Sequence, residues 1–248
     1  MPNYSRGLLL LLTTVFCSCS PYKQVAYFQD INRLEPTKET VTSKFALTIQ
    51  PDDILGISVS SLNADASAVF NSASNASGAN ESNGGYIVNA NGEIELPMVG
   101  SVKASNLTTL QLKDVIRKKL IPYLKEPVVR VSLINFKVSV LGDVNQPGVF
   151  KTQNEKFSIT EALTLAGDLN LTARRKIILI REVDQTREYV PIDLTSKNLF
   201  SSPYYYLKNN DILYVEAGKA KYASLDRTYS KVGLLFSLIS IASIFIRR

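Results

Sequence analysis

Histidine and tryptophan are absent from the 248 residues, and cysteine occurs only twice. Without histidine the chain cannot build a Ser-His-Asp triad, a His-ligated metal site or a proton shuttle titrating near neutral pH. Cys17 and Cys19 both fall within the first twenty residues. No disulfide can therefore staple the body, and no cysteine-based metal site exists there. Most common enzyme mechanisms go with these absences, and we read the chain as a non-enzyme without a metal or cofactor. The net charge of +6 is spread over scattered Lys and Arg residues, with no aromatic-basic run or nucleic-acid motif, which excludes nucleic acid as a partner. Arg174, Arg175, Lys176 and Arg181 read as a solvated rim; attraction to an acidic polymer or to lipid headgroups is the sharper alternative. With 45% hydrophobic and 20% charged residues, the chain has material for one large domain or two small ones.

Both ends carry membrane signals. Residues 1–18 read as a signal peptide, with Arg6 in the n-region and an apolar core from Leu8 to Phe16. That core is too short to span, since a spanning helix needs about twenty residues. Cys19, between Ser18 and Ser20, is the expected lipidation site, against an ordinary signal peptide with two incidental cysteines; Ser20 fits sorting to the outer membrane. Residues 19–44 are polar apart from Tyr27 and Phe28 and read as a lipidated tether. Residues 219–230 read as a linker and 231–248 as a membrane helix. Its charge-free run Val232–Ile246 would reach about 22 Å as a helix, short of a hydrocarbon core of about 30 Å. One side carries Val232, Leu234, Leu235, Leu238, Ile241 and Phe245. The other carries Ser230, Gly233, Ser237 and Ser240, a small-residue stripe suited to close helix packing or to a wetted pore wall.

Between the ends the pattern is α+β. A strand is expected over Ile54, Ile57 and Val59 after the turn Pro51-Asp52-Asp53. Residues 63–85, rich in Ser, Asn, Ala and Gly, read as a mobile loop. Asn91-Gly92 predicts a hairpin over Tyr86–Leu96. The alternating Glu93 and Glu95 then read as outward strand residues rather than as paired catalytic carboxylates. Thr108-x-x-Gln111 and Ser158-x-x-Glu161 are capping boxes. The first opens a helix buried through Leu112, Val115, Ile116 and Leu120, ending near Pro122; the second opens a helix carrying Ile159, Ala162, Leu163 and Ala166 and stopping at Gly167. Strands are expected at 128–133, 136–141, 177–180, 189–192 and 212–215, with a turn at Pro147-Gly148. Asp53-Ile-Leu and Asp211-Ile-Leu echo each other at two strand entries.

Four segments carry a family resemblance. They are Pro51-Asp52-Asp53-Ile-Leu, Gly92-Glu-Ile-Glu-Leu-Pro97-Met-Val-Gly100, Tyr123-Leu-Lys-Glu-Pro127-Val-Val-Arg-Val, and Val138-Ser-Val-Leu-Gly142-Asp-Val-Asn-Gln-Pro147-Gly148. In that order, after a lipoprotein cysteine and before an apolar helix, they resemble the polysaccharide export (Wza-like) family. The resemblance implies a polysaccharide export domain over 45–135 and an SLBB β-grasp domain over 136–218. It further implies an octameric homo-oligomeric ring in the outer membrane. Capsular or exopolysaccharide would pass through it, fed by an inner-membrane copolymerase, often a tyrosine autokinase. Asp52 departs from the family's usual glycine at that turn. A single β-grasp domain implies a shorter periplasmic part than in the longest members. The alternative is a carbohydrate-binding or scaffold lipoprotein that forms no channel; an inner-membrane chain-length regulator would want two full-length spans and a coiled coil.

Overall fold

The computed structural model describes residues 25–40, 45–75, 85–183 and 186–225. The first domain is built on β1 (Ile54–Ser60), whose alternating burial turns Leu55, Ile57 and Val59 inward. One edge of β1 pairs antiparallel with β5 (Val128–Leu133), placing Ile57 opposite Val131, and the other pairs briefly with β2 (Tyr86–Ile87). The remainder of that second edge is capped by α1 (Ala64–Asn75): Val59 N–H donates to the Asn71 carboxamide oxygen, and the Asn71 amide donates back to Val59 O, each at 2.9 Å.

Helix α1 lies where a loop over 63–85 was expected. The segment is polar but well capped, since the Asn63 side chain accepts Ala66 N–H at 3.2 Å and Asp65 sits in the first turn. One large side chain then suffices as anchor: Phe70 is fully buried, and the Tyr86 hydroxyl donates to its carbonyl at 2.8 Å. Residues 76–84 lie outside the described set. The hairpin expected over Tyr86–Leu96 is likewise corrected. Asn91-Gly92 does turn, with Gly92 at φ 75° and its N–H on Asn89 O at 2.7 Å. The flanking strands take other partners, however. Val88 and Asp53 extend the pairing of β2 with β1, whereas β3 (Glu93–Leu96) pairs with β4 (Gly100–Lys103) around Pro97-Met98. Period-two alternation marks a strand without naming its partner. Helix α2 (Thr109–Leu120) starts at the expected capping box, buries Leu112, Ile116 and Leu120, and packs on β5.

The second domain is a five-stranded mixed sheet with one helix. Its strands are β6 (Lys137–Gly142), β7 (Gly148–Lys151), β8 (Lys176–Val183), β9 (Thr186–Asp193) and β10 (Ile212–Val215), in the order β7-β6-β10-β8-β9. The central pair β6 and β10 is parallel and every other pair antiparallel, the arrangement of a β-grasp. Helix α3 (Ile159–Leu165) begins at the Ser158–Glu161 capping box, covers one face through Ile159, Ala162 and Leu163, and gives way to Gly167 at φ 71°. A 3-10 turn at Lys197–Ser201 follows β9, and the expected linker opens as a short helix α4 (Lys219–Leu225). Buried side chains of both domains form one contiguous cluster, running from Ile57 and Leu112 through Phe136 to Leu179 and Leu213.

Candidate functional site at the domain junction

The two echoing turns are the same device built twice. Asp52 and Asn210 both take left-handed backbone, with φ 68° and 66°. The next residue, Asp53 or Asp211, donates its N–H three residues back, to Gln50 O at 3.3 Å or Lys208 O at 3.2 Å. Its carboxylate accepts the N–H of that same residue, at 2.8 Å from Gln50 and 2.6 Å from Lys208. Each turn thus closes on a buried aspartate that launches a strand. A left-handed residue at 52 explains why glycine suits that position and why Asp, whose short polar side chain tolerates αL, is accepted.

The turns also touch. Asn209 Nδ2 donates to Asp53 Oδ1 at 2.7 Å, while Asn209 Oδ1 accepts Lys137 N–H at 3.0 Å. From the first domain Asn135 adds Nδ2 to Asp52 O at 3.1 Å and accepts Ile54 N–H at 2.9 Å. Phe45 meets Tyr206 across the same boundary, with ring centroids 4.7 Å apart. Burial pushes the Asp53 carboxyl above its ordinary value, outweighing the bonds from Gln50 and Asn209, with the Asp52 charge adding to the rise. On the other side, Asp211 holds Arg181 in a bidentate pair at 2.9 and 2.6 Å, and the guanidinium lies 5.4 Å from the Tyr204 ring centroid. The stretch between β9 and β10 is therefore the hub that joins the domains.

A third partner occupies the hub. Of the expected tether 19–44, the described stretch from Val25 to Ile31 is docked on the second domain. Phe28 N–H donates to Leu194 O at 3.2 Å and Gln29 N–H to Thr195 O at 2.6 Å. Phe28 packs on Phe200, which meets Tyr205, which meets Tyr206, so aromatic contacts run from the arm to Phe45. Asp30 accepts from Ser196 Oγ and Lys197 N–H, each at 2.7 Å, and these bonds lower its carboxyl pKa. Arg175 grips the arm from below. Its Nε donates to Val25 O at 2.8 Å, its Nη1 to Asn170 O and Ala173 O at 2.9 Å, and it lies 5.2 Å from the Tyr27 ring centroid. The Tyr27 hydroxyl donates to Asp168, and its pKa is raised by burial and by that carboxylate.

The solvated rim expected at 174–181 is thus half corrected. Arg174 and Lys176 are exposed and pair with Glu216 and Asp193, but Arg175 and Arg181 are each only 6% exposed. In β8 the alternation turns Arg181 to the covered face, where Asp211 waits, and the carbonyls of Val25, Asn170 and Ala173 take up the hydrogen bonds of the buried Arg175 guanidinium. No local sequence signal marks either as buried. Only the spatial meeting with Asp211 and with the arm does.

The remaining expected positions are turn residues serving structure. Gly142 adopts φ 100°, and a Cβ there would lie 2.0 Å from Val215 O. Asp143 is 1% exposed and accepts from Asn170 at 2.8 Å, Thr172 at 2.7 Å and Lys221 at 2.6 Å, tying α4 to the sheet. Burial raises its carboxyl, but these three donors outweigh that and leave it below the ordinary value of 3.8. Gly92 is crowded by Ser105, whereas Gly100, at φ 76°, faces open space. Pro97 closes the β3–β4 turn, with Val99 N–H on Pro97 O at 2.7 Å, and Pro147-Gly148 closes the turn from β6 to β7. Pro127 lines a cleft of about 580 Å3 between the end of α2 and the start of β5, bounded by Arg117, Ile121 and Val128. Glu95 is exposed, and Glu93 accepts from Ser101 at 2.8 Å on the same strand face.

Cys19 lies outside the described residues. So do Ser230, Val232, Gly233, Leu234, Leu235, Ser237, Leu238, Ser240, Ile241 and Phe245. Among the described residues no helix is long and apolar enough to cross a membrane, and no cluster of acidic, Cys or His side chains is arranged to hold a metal.

Comparison with known proteins agrees with this two-domain build. Residues 42–134 match the family described as polysaccharide biosynthesis/export protein, and residues 136–215 match the SLBB domain. The chain is 30% identical over 91 residues to the EPS I polysaccharide export outer membrane protein EpsA of Ralstonia solanacearum, and 31% identical over 91 residues to its counterpart in Ralstonia nicotianae. Each match covers 36% of this chain and 24% of the relative, so the chain is aligned with about a quarter of the relatives' length. The export-family match over residues 42–134 followed directly by the SLBB match over 136–215 places the chain in the Wza-like polysaccharide export family.

Proposed function

We propose that this chain is an outer-membrane, non-enzymatic subunit of an exopolysaccharide or capsule export conduit, working as a homo-oligomeric ring of about eight copies that passes polymer from the periplasm to the cell surface. The observation that carries the reading is the ordered pair of export and SLBB domains, with the relatives' own role as outer-membrane polysaccharide export proteins behind it. An inner-membrane copolymerase or tyrosine autokinase feeds polymer from below.

The way the chain enters and leaves the second domain supports two membrane attachments on one side. Val25 is held by Arg175, and Gly218 N–H donates to Thr172 O at 2.7 Å, so the arm and the C-terminal segment depart from the same corner, residues 172–175. Five residues lie between Cys19 and Val25, a reach of at most about 22 Å. A lipid on Cys19 and the apolar run Val232–Ile246 then give the two signals that stable anchoring requires. They hold the SLBB domain next to the membrane, with the export domain projecting away from it.

The test is complementation. In a host deleted for this chain, surface polymer is lost and the full chain restores it. A variant lacking 231–248 is expected to fold but to leave polymer trapped, and Cys19→Ser to mislocalise. Full export from the truncated variant would overturn the membrane-helix role.

A further inference from the structure

The second domain has one face that nothing among the described residues covers. Helix α3 occupies the inner side of the sheet. On the outer side, ladder register aligns one residue from each strand in a row: Val149, Ser139, Ile212, Ile180 and Tyr189. A second row beside it holds Leu141, Tyr214, Ile178 and Pro191. Eight of these nine residues are apolar. Val149 and Tyr189 are 60% and 63% exposed, and the three isoleucines are half-buried and stand outside the core cluster. With strands about 4.8 Å apart and outward residues about 6.7 Å apart, the face measures about 300 Å2. That reaches the lower end of the range for the largest apolar patch of a typical monomer, which often marks a contact surface. It supplies about two-fifths of the roughly 800 Å2 per partner that a specific interface uses.

The charged rim gives the contact a direction. Lys176 pairs with Asp193 and Arg187 with Glu182 at the ends of the β8–β9 ladder. Across the β6–β7 pair, Lys137 stands opposite Lys151, both exposed and on the outer side. Like charges in direct opposition are unfavourable and are relieved by an acidic neighbour. The opposite side of the same domain offers one: on α3, Ile159, Ala162 and Leu163 face the sheet, while Glu161 and the 49%-exposed Leu165 point away from it. Two complementary patches on opposite sides of one domain cannot both be satisfied in a two-fold dimer. They are satisfied by head-to-tail contacts, which close into a ring or run on as a filament.

We propose that the outer face of the SLBB sheet, centred on Ile212 and Ile180, docks the α3 side of a second copy of this chain, Leu165 and Glu161 meeting the sheet beside Lys137 and Lys151. This rests on the oligomeric reading above and specifies which surfaces meet.

The test is cysteine cross-linking in membranes of cells making the full chain, with a short bis-maleimide and with the parent chain as background for Cys17 and Cys19. The pair Ser139→Cys and Leu165→Cys in one chain should give a ladder of covalent oligomers, and either substitution alone should give none above background. Dimers from Ser139→Cys alone would mean that the sheets meet face to face and would overturn the proposal. So would a ladder that appears only after 231–248 is deleted, since the chain's own apolar segment would then be the occupant. Val149→Lys with Tyr189→Lys, at positions too exposed to disturb folding, should lower the oligomer fraction at least tenfold with protease resistance of the body unchanged; an unaltered oligomer contradicts the proposal. A parent that is oligomeric while the double-cysteine chain gives no ladder refutes the interface alone. A monomeric parent in a strain that still exports polymer refutes the reading beneath it as well.

Discussion

Arg181 and Asp211 are the most exacting test of the hub. Their side chains are 7% and 1% exposed, and two charge-assisted bonds of 2.9 and 2.6 Å join them. Replacing Arg181 by Met keeps the bulk on β8 but leaves the Asp211 carboxylate in the interior with the Lys208 N–H still donating to it. Breaking one side of a buried pair costs about 3–5 kcal/mol, and loss of the stacking on Tyr204 adds about 0.5–1 kcal/mol. At about 2–4 °C per kcal/mol for a body of this size, the melting temperature should fall by roughly 7–24 °C. Asp211→Asn alone strands the guanidinium and should cost a similar amount. The double variant Arg181→Met/Asp211→Asn removes both charges while its amide oxygen still accepts Lys208 N–H, and should recover at least about 2 kcal/mol of the summed loss. Thermal melts in mild detergent, followed by the fluorescence of the 12 tyrosines in a chain without tryptophan, read these differences directly. Single variants that each lose under about 1 kcal/mol, with no coupling, would show that the pair is solvated and that the hub is not built on it.

Three further outcomes follow from particular atoms. Gly142→Ala should destabilise by at least about 3 kcal/mol, because φ 100° and a Cβ 2.0 Å from Val215 O force β6 off β10, whereas Gly100→Ala, left-handed but in open space, should cost about 1 kcal/mol; equal losses in chemical denaturation would contradict this. Asp143 binds its proton more weakly when folded than when unfolded, so its contribution is fully present above the ordinary value of 3.8 and is lost as pH falls through the lower folded value. Lys221→Ala should shift that acid limb of stability to higher pH, and an unmoved limb would show that Lys221 does not hold the carboxylate. Tyr27→Ala with Phe28→Ala should free the arm to protease between Val25 and Ile31 while leaving the second domain resistant; unchanged digestion would mean that backbone bonds alone hold it.

Most of the elements were legible because their signals are local. Both capping boxes fix helix starts through side chains three residues apart, and the stripes Leu112–Ile116–Leu120 and Ile159–Ala162–Leu163 follow from helical spacing alone. The Asp53 and Asp211 echo was visible for the same reason, since each aspartate bonds within its own turn. What sequence hid is long-range. Helix α1 depends on one Phe reaching the core and one Asn capping a strand edge twelve residues away. Tyr86 and Ile87 pair with β1 instead of β3 because their partner is chosen by the chain path and not by the Asn-Gly turn. The arm, Arg175 and the contact between Asn209 and Asp53 join residues more than 140 positions apart, which no composition or period reports.

Electron microscopy of the native protein, extracted from outer membranes in mild detergent, tests the export-conduit reading most directly. A ring with a central hole, built from copies whose SLBB domains lie on the membrane side, is the expected image. A monodisperse monomer across several mild detergents, from cells that export polymer normally, would contradict it and leave a carbohydrate-binding or scaffold lipoprotein in its place.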